Sequence, residues 1–136
     1  MKTHVLRTSI LAFVLAAAGH AQSSLSLHAD IPFNFVAGSI TLNAGEYTVD
    51  QGKAGLINMK TENGKGSAFL FTATVGCTGN QTASKLVFHR YGNTYLLSQI
   101  WTEGNECGRQ VPVTSREREL AARHRAPDET IVLALR

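Results

Sequence analysis

The sequence predicts an all-β domain, either an antiparallel sandwich or a small barrel of seven to eight short strands, with one C-terminal helix near 115–124. Three observations lead to this prediction. Short runs alternate apolar and polar residues with a period of two, which is the pattern of half-buried strands. Glycine and asparagine separate these runs and mark turns. The period changes only after Pro112, where helix signals begin.

The β-like runs follow one another closely from residue 31 onwards. Pro32 stands near the start of the first run, where a strand start or a sheet edge tolerates it. Asn63-Gly64 and Gly92-Asn93 each separate two runs and predict tight hairpins, because these residues accept positive φ angles. The predicted strands cover residues 31–36, 40–42, 46–50, 56–60, 68–75, 86–91, 95–102 and 130–135.

One helix is predicted in the last quarter of the chain. Thr114 and Glu117 have the spacing of a capping box, in which the two side chains satisfy free backbone amides. Glu119 and Arg123, four residues apart, stabilise a helix by a few tenths of a kcal/mol. Pro127 marks the end of the segment. Because the segment contains few apolar residues, we expect the helix to pack lightly against the sheet.

The densest group of chemically useful side chains lies in the predicted hairpin around Gly92-Asn93. Alternation places His89 and Tyr91 on one face of the first arm and Arg90 on the other. It places Tyr95 and Trp101 together on one face of the second arm. Both faces of both arms carry apolar groups, which indicates a hairpin that is covered on two sides or central in its sheet. The candidate binding residues are His89, Arg90, Tyr91, Tyr95 and Trp101.

These side chains allow two interpretations. A histidine in a strand can act as a general base, and an arginine can bind an anion. The same residues can also form cross-strand polar pairs that satisfy their own hydrogen bonds. No carboxylate or nucleophile stands at a spacing that would complete a catalytic set, so we predict no catalytic residue.

The N-terminal residues 1–21 have the pattern of a secretory signal peptide. Lys2 and Arg7 form a basic start, and an apolar run of about ten residues follows, too short to span a bilayer, which needs roughly 20. Small residues at positions 19 and 21 predict cleavage near Ala21. We therefore expect an exported protein that is periplasmic or extracellular.

The remaining chain, 22–136, is predicted to form a single β-rich domain. Loss of the two basic residues of the signal lowers the formal net charge from +3 to +1. A nearly neutral chain lacks the basic surface that nucleic-acid binding requires. We also expect no membrane span in the mature chain, because it contains no second long apolar segment.

The two cysteines, Cys77 and Cys107, both lie in the exported part of the chain. An even number of cysteines in an oxidising compartment predicts a disulfide, and only one pairing exists here. A cysteine-based metal site is the alternative. It has little support, because the sequence has no CxxC spacing and no nearby pair of histidines. If 68–75 and the two arms of the hairpin form a meander, the two cysteines meet at the same end of the sheet.

Several enzyme classes are disfavoured by missing motifs. The exported part contains three widely spaced histidines and no HExxH, no GxSxG and no phosphate-binding glycine loop. We therefore predict a non-enzymatic protein without metal or cofactor. Its expected role is structural or interaction-related, with an unknown protein or a small ligand as partner. The alternative is a binding module that holds a small or carbohydrate-like ligand on Tyr91, Tyr95 and Trp101.

Several segments resemble a family of small exported bacterial β-rich proteins. Residues 30–38 match the family pattern D-[IV]-P-F-x-F-x-[AV]-G, and residues 42–47 match L-P-A-G-x-Y with Asn43 in place of the proline. The segments L-V-F-H-x-Y-G, at 86–92, and R-E-L, at 118–120, are also similar. The resemblance implies a bacterial, exported β-domain and carries over no catalytic or binding residue.

Overall fold

The computed structural model describes residues 25–136, which contain eleven strands and one α-helix. The strands form two sheets that pack face to face. The predicted all-β fold is confirmed in its sandwich form, since the sheets do not close into a barrel. The predicted signal peptide, 1–21, lies outside the described residues. The strands are β1 (Ser26–Ile31), β2 (Phe35–Ala37), β3 (Ile40–Leu42), β4 (Gly45–Gln51), β5 (Leu56–Thr61), β6 (Ser67–Phe71), β7 (Ala73–Val75), β8 (Lys85–Tyr91), β9 (Thr94–Trp101), β10 (Gly108–Gln110) and β11 (Glu129–Ala134).

The smaller sheet has the strand order β1-β4-β5-β6, and its neighbours are all antiparallel. The larger sheet has seven strands, with the main path β11-β8-β9-β10-β7. Strand β2 joins the larger sheet through a parallel pairing with β9 and carries β3 on its other side. The hairpin β8–β9 is therefore central in the larger sheet, as predicted.

The strand pattern differs from the predicted one in three places. The run 31–36 is not one strand, because Ile31 ends β1 and the chain turns at 32–34 before β2. The run 68–75 is divided into β6 and β7. Strand β10 is absent from the predicted set because Gly108–Gln110 is too short and too polar to show alternation. These differences raise the number of strands above the predicted seven to eight.

The run 68–75 divides because the chain passes from one sheet to the other at Thr72. Its N–H and its hydroxyl both donate to the carbonyl oxygen of Gly55, at 3.0 and 2.6 Å. Gly55 has a φ of 78°, and an added Cβ there would lie 2.7 Å from the Thr72 carbonyl oxygen, so only glycine fits. Because β6 pairs with β5 whereas β7 pairs with β10, the expected meander of 68–75 with the hairpin does not form.

The predicted disulfide between Cys77 and Cys107 is present, with a Cα–Cα distance of 4.1 Å. Cys77 follows β7 and Cys107 precedes β10, and these strands are antiparallel neighbours with Val75 opposite Gly108. The cysteines therefore meet through this pairing rather than through a meander. The bond closes a loop of 30 residues that contains the whole β8–β9 hairpin.

The core lies between the sheets and contains an aromatic group at its centre. The Phe88 ring makes edge-to-face contacts with Phe33 and Phe35, with centroids 5.1 and 5.4 Å apart. Phe35 also contacts Tyr47 of the smaller sheet, at 5.4 Å, and so links the two layers. Burial raises the pKa of Tyr47, whose hydroxyl donates to the Asn43 carbonyl oxygen at 2.6 Å. This bond satisfies the polar group that Tyr47 brings into the core.

The helix α1 (Ser115–His124) has the predicted bounds. Thr114 is its N-cap, and the Thr114 hydroxyl accepts a hydrogen bond from the Glu117 N–H at 3.3 Å. Arg125 ends the helix with a left-handed φ of 64°. The helix covers part of the outer face of the larger sheet. The small apolar cluster formed there contains Val36, Tyr91, Leu96, Leu120 and Ala121.

Candidate functional site

The hairpin β8–β9 contains an irregularity that decides where its side chains point. Val87 lies opposite Gln99, but the next residue, Phe88, lies opposite Leu97. Strand β9 therefore has one extra residue, Ser98, at a β-bulge. Because side chains alternate with a period of two, this extra residue reverses the facing of every later residue in β9.

The bulge separates Tyr95 from Trp101. Tyr95 lies before the bulge and packs against the core, where its ring stacks on Phe33 with centroids 4.1 Å apart. Trp101 follows the fully buried core residue Ile100 and points to the opposite face. Its Nε1 donates to the Oε1 of Gln99 at 3.0 Å. The expectation that Tyr95 and Trp101 share a face is therefore wrong, since strict alternation does not allow for a bulge.

His89 and Tyr91 point to the outer face of the larger sheet, beneath α1. The Nδ1 of His89 is 3.4 Å from the Oε1 of Glu117, a nearly buried helix residue. Tyr91 belongs to the apolar cluster against which Leu120 packs. Burial, together with the negative charge of Glu117, raises the pKa of Tyr91. Because the Glu117 carboxylate is directed to the sheet, only the Thr114 half of the predicted capping box forms among the described residues.

Arg90 points away from His89 and is paired with a carboxylate. Its Nη2 lies 3.0 Å from the Oε2 of Glu129, which stands directly opposite Arg90 on β11. The Nε of Arg90 is buried without a hydrogen-bond partner among residues 25–136. Glu129 therefore occupies the position that an anionic ligand of this guanidinium would take.

Trp101 lies beside the strands that the disulfide joins. The Nζ of Lys85 is 5.5 Å from the centre of the Trp101 ring, which is within cation–π range. An added Cβ at Gly76 would lie 2.9 Å from this ring, and one at Gly108 would lie 2.7 Å from it. The two glycines therefore let the indole ring lie flat against the backbone, where it packs over the β7–β10 pair.

The structure thus distributes the five candidate binding residues over four places. Only His89 and Tyr91 come together, beneath α1. Tyr91 is 4% exposed, and Tyr95 is stacked within the sandwich, so the three aromatic rings do not form one open surface. Ligand binding through these residues stays a prediction.

Two neighbouring grooves open on the smaller sheet, in a part of the fold that sequence reasoning did not single out. One has a volume of about 510 Å³ and lies between the β3–β4 and β5–β6 turns, with Glu46, Glu62 and Lys65 in its lining. The second, of about 330 Å³, shares Glu46 and Glu62 and adds His28, whose Nδ1 is 3.1 Å from the Oε1 of Glu62. Their residues come from separate strands and turns, so no local motif marks them in the sequence.

The most exposed large apolar side chains of the described chain lie on the outer face of β6. Phe69 is 60% exposed and Phe71 is 77% exposed, whereas the alternate residues Ala68 and Leu70 face the core. Leu56 stands opposite Phe71 on β5 and extends this apolar surface. Alternation places Phe69 and Phe71 on one face, but only the tertiary structure shows that this face is in contact with solvent.

Within residues 25–136, no three His, Cys, Asp or Glu side chains are grouped so that they could hold a metal ion. No helix of this described part is both long and apolar enough to cross a membrane. Comparisons with family models, curated proteins and solved structures give no match.

Asp128 joins the segment after α1 to the turn of the β8–β9 hairpin. Its Oδ2 accepts a hydrogen bond from the Gly92 N–H at 2.6 Å, and its Oδ1 lies 3.5 Å from the Nδ1 of His124. The Gly92 hydrogen bond, and then the charge of His124, lower the pKa of Asp128. Because this pKa is lower in the folded than in the unfolded state, the carboxylate stabilises the fold above its unfolded pKa. This contribution is lost as the pH falls through the folded-state pKa.

We expect Asp128→Asn to lower the free energy of unfolding at neutral pH and to have little effect once the pH is below the folded-state pKa of Asp128. Urea denaturation of both proteins over a series of pH values measures the difference. Glu106→Gln, at an exposed carboxylate beside the disulfide, is the control and should change stability little at any pH. An equal loss at neutral and acidic pH in Asp128→Asn would show that the carboxylate charge is not the cause.

Proposed function

We propose that this chain is an exported, non-enzymatic β-domain that acts by binding another protein at the open edge of its smaller sheet. The observation that carries the proposal is the edge strand β6, which has no charged residue and exposes Phe69 and Phe71 to solvent. Exposed apolar groups on a sheet edge promote association and are typical of interaction sites.

Export is supported by two independent features. The pattern of residues 1–21 is that of a signal peptide. The disulfide between Cys77 and Cys107 is a bond that persists in the periplasm or outside the cell and is rare in the cytosol. Export to an oxidising compartment accounts for both features.

A non-enzymatic role is supported by how the most reactive side chains are used. His89 is directed to Glu117 beneath α1, and Arg90 is paired with Glu129 of the neighbouring strand. A general base needs access to the proton that it removes, and an anion-binding arginine needs unpaired donors that a ligand can reach. Here both side chains connect one element of the fold to another.

A small-molecule function is the second candidate, and the groove of about 510 Å³ favours it. Its volume is in the range of small-ligand sites. Its aromatic lining residue, Tyr47, is 1% exposed and offers no ring for a sugar to stack on. NMR titration with simple sugars and small organic acids tests this candidate. Chemical-shift changes confined to Glu46, Glu62 and Lys65 would support ligand binding in the groove rather than protein binding at β6.

Site-specific photo-crosslinking in the cells that produce the protein tests the main proposal. Phe71 is replaced by the photoreactive analogue p-benzoylphenylalanine, which the 77% exposure of this position accommodates. The control places the same analogue at Val132, which is 56% exposed on β11. We expect a discrete protein adduct from position 71 after irradiation and none from position 132. No adduct from position 71, or equal adducts from both positions, would contradict the proposal.

A further inference from the structure

We infer that the protein bound at β6 is a second copy of this chain, whose own β6 pairs antiparallel with the first. The inference rests on the proposed function and deepens it by naming the partner and the register. It follows from the chemistry of the sheet edges, the direction of the backbone groups of β6 and the positions of the charges.

Among the described strands, β6 is the sheet edge with the fewest obstacles to pairing. Strand β11 carries Glu129 and continues to Arg136, which exchanges two backbone hydrogen bonds with His28, at 2.7 and 3.0 Å. Strand β1 carries His28 and Asp30. Strands β3 and β7 have only three residues each. By contrast, β6 has five residues, without charge, proline or register shift, and such strands are the ones that accept a further strand.

The hydrogen bonds between β5 and β6 show which backbone groups of β6 are already used. Thr61 N–H donates to the Gly66 carbonyl oxygen at 2.8 Å, and Thr72 N–H donates to the Gly55 carbonyl oxygen at 3.0 Å. Hydrogen-bonded pairs alternate along an antiparallel ladder. Every second residue from 66 to 72 therefore directs its N–H and C=O to β5.

The remaining residues of β6 direct their backbone groups to the open edge. These residues are Ser67, Phe69 and Phe71. All three side chains are exposed on the outer face of the sheet. The free hydrogen-bonding groups and the exposed phenyl rings thus belong to the same residues, so a single added strand would satisfy both.

This arrangement is self-complementary about a twofold axis at Phe69. An antiparallel partner strand brings Phe69 opposite Phe69 of the second copy, and Ser67 opposite Phe71 on either side. Each of these pairs exchanges two backbone hydrogen bonds. Phe71 then lies diagonal to Phe69 of the second copy, within reach of an aromatic side chain. The same surface on both copies is what a closed twofold dimer requires.

The charges of the smaller sheet do not oppose this pairing. Glu46 and Asp50 lie on β4, two strands from the open edge, and Lys60 of β5 is 3.5 Å from Asp50. Lys60 is the charge nearest to the open edge, one strand away and opposite Ser67. In a joined sheet the two β5 strands are three strand spacings apart, about 14 Å, and the two β4 strands are five spacings apart, about 24 Å. Both separations exceed the Debye length of about 8 Å at physiological salt, so the like charges are screened.

The available area indicates a weak, reversible dimer. With about 200 Å² for each phenylalanine, the exposed fractions of Phe69 and Phe71 give roughly 550 Å² of apolar surface from the four rings. Stable interfaces bury about 1,200–2,000 Å² in total. We therefore expect a dissociation constant between about 1 µM and 1 mM.

Sedimentation velocity of the purified exported protein, with its disulfide intact, tests the inference over protein concentrations from about 10 µM to 1 mM. We expect a monomer–dimer equilibrium. Phe69→Lys places two like charges opposite each other at the twofold axis and should weaken association at least about tenfold. Phe69→Thr keeps strand propensity and should weaken it less. Val132→Lys, on the edge strand of the larger sheet, should leave association unchanged.

A protein that stays monomeric up to about 1 mM would overturn the inference, as would an equal effect of Phe69→Lys and Val132→Lys. Circular dichroism and urea denaturation of each variant show whether it is folded. If Phe69→Lys does not fold, Phe69→Thr serves as the test variant. The mass of the crosslinked adduct from position 71 separates the two proposals. An adduct of twice the monomer mass supports self-association, whereas an adduct of another mass overturns it and leaves the proposed function standing.

Discussion

Phe88→Ala is expected to lower the free energy of unfolding by about 3–5 kcal/mol, because it removes the ring at the centre of the sandwich. Phe88 is 0% exposed and makes edge-to-face contacts with Phe33 and Phe35. Substitution loses the burial of the ring and leaves a cavity that a packed β-sandwich refills only in part. Phe35 also links the larger sheet to Tyr47, so the cavity opens between the two layers.

Equilibrium urea denaturation, followed by circular dichroism, measures this effect. Phe71→Ala is the matched control, because it removes the same ring from a position that is 77% exposed. At protein concentrations well below the expected dissociation constant of the dimer, where no second copy covers Phe71, we expect the control to change stability by no more than about 0.5 kcal/mol. Similar losses in the two variants would mean that Phe88 is not a core residue, or that the Phe71 ring is covered by something other than solvent.

Loss of the disulfide is the second large effect that we expect. Cys77 and Cys107 close a loop of 30 residues, which corresponds to about 3–4 kcal/mol of stabilisation through the lower entropy of the unfolded chain. The loop contains the β8–β9 hairpin, which is central in the larger sheet. Opening it frees the strands that pair at the end of this sheet, β7 and β10.

The double variant Cys77→Ala with Cys107→Ala should therefore unfold at a lower urea concentration than the native protein. Addition of dithiothreitol provides the internal control, since it should lower the stability of the native protein and leave the double variant unchanged. Labelling of free thiols before and after reduction reports the bond directly. If both proteins unfold at the same midpoint under oxidising conditions, the disulfide does not stabilise the fold.

Local signals were sufficient for the elements that depend on local physics. The Thr114 N-cap and the turn beyond His124 bound α1 as predicted, because capping groups lie within one turn of the helix they end. The Gly92-Asn93 turn joins β8 to β9 for a similar reason, since Gly92 adopts a φ of 60° there. Pairing between strands that are far apart in the sequence could not be predicted from local signals. The division of 68–75 at Thr72, for example, depends on a contact with Gly55.

The candidate site shows the same limit in the orientation of side chains. Five residues that are close in sequence looked like one cluster, but alternation and the bulge at Ser98 direct them to different places. A bulge has no reliable local signature, because it depends on how two strands match in register. Alternation places Phe69 and Phe71 on the same face of β6, but the tertiary structure decides which face of this strand meets the larger sheet.

By itself, the chain's order of residues determined the all-β class, the position of α1 and the pairing of Cys77 with Cys107. These features depend on short-range periodicity, on capping within a few residues, or on there being one possible cysteine pair. The tertiary structure alone decided which strand became an open edge and which aromatic rings remained in water. Those outcomes depend on which sheet each strand joins and in which register it pairs. Free-energy differences between whole arrangements of the chain decide both, so neither is a property of a single segment.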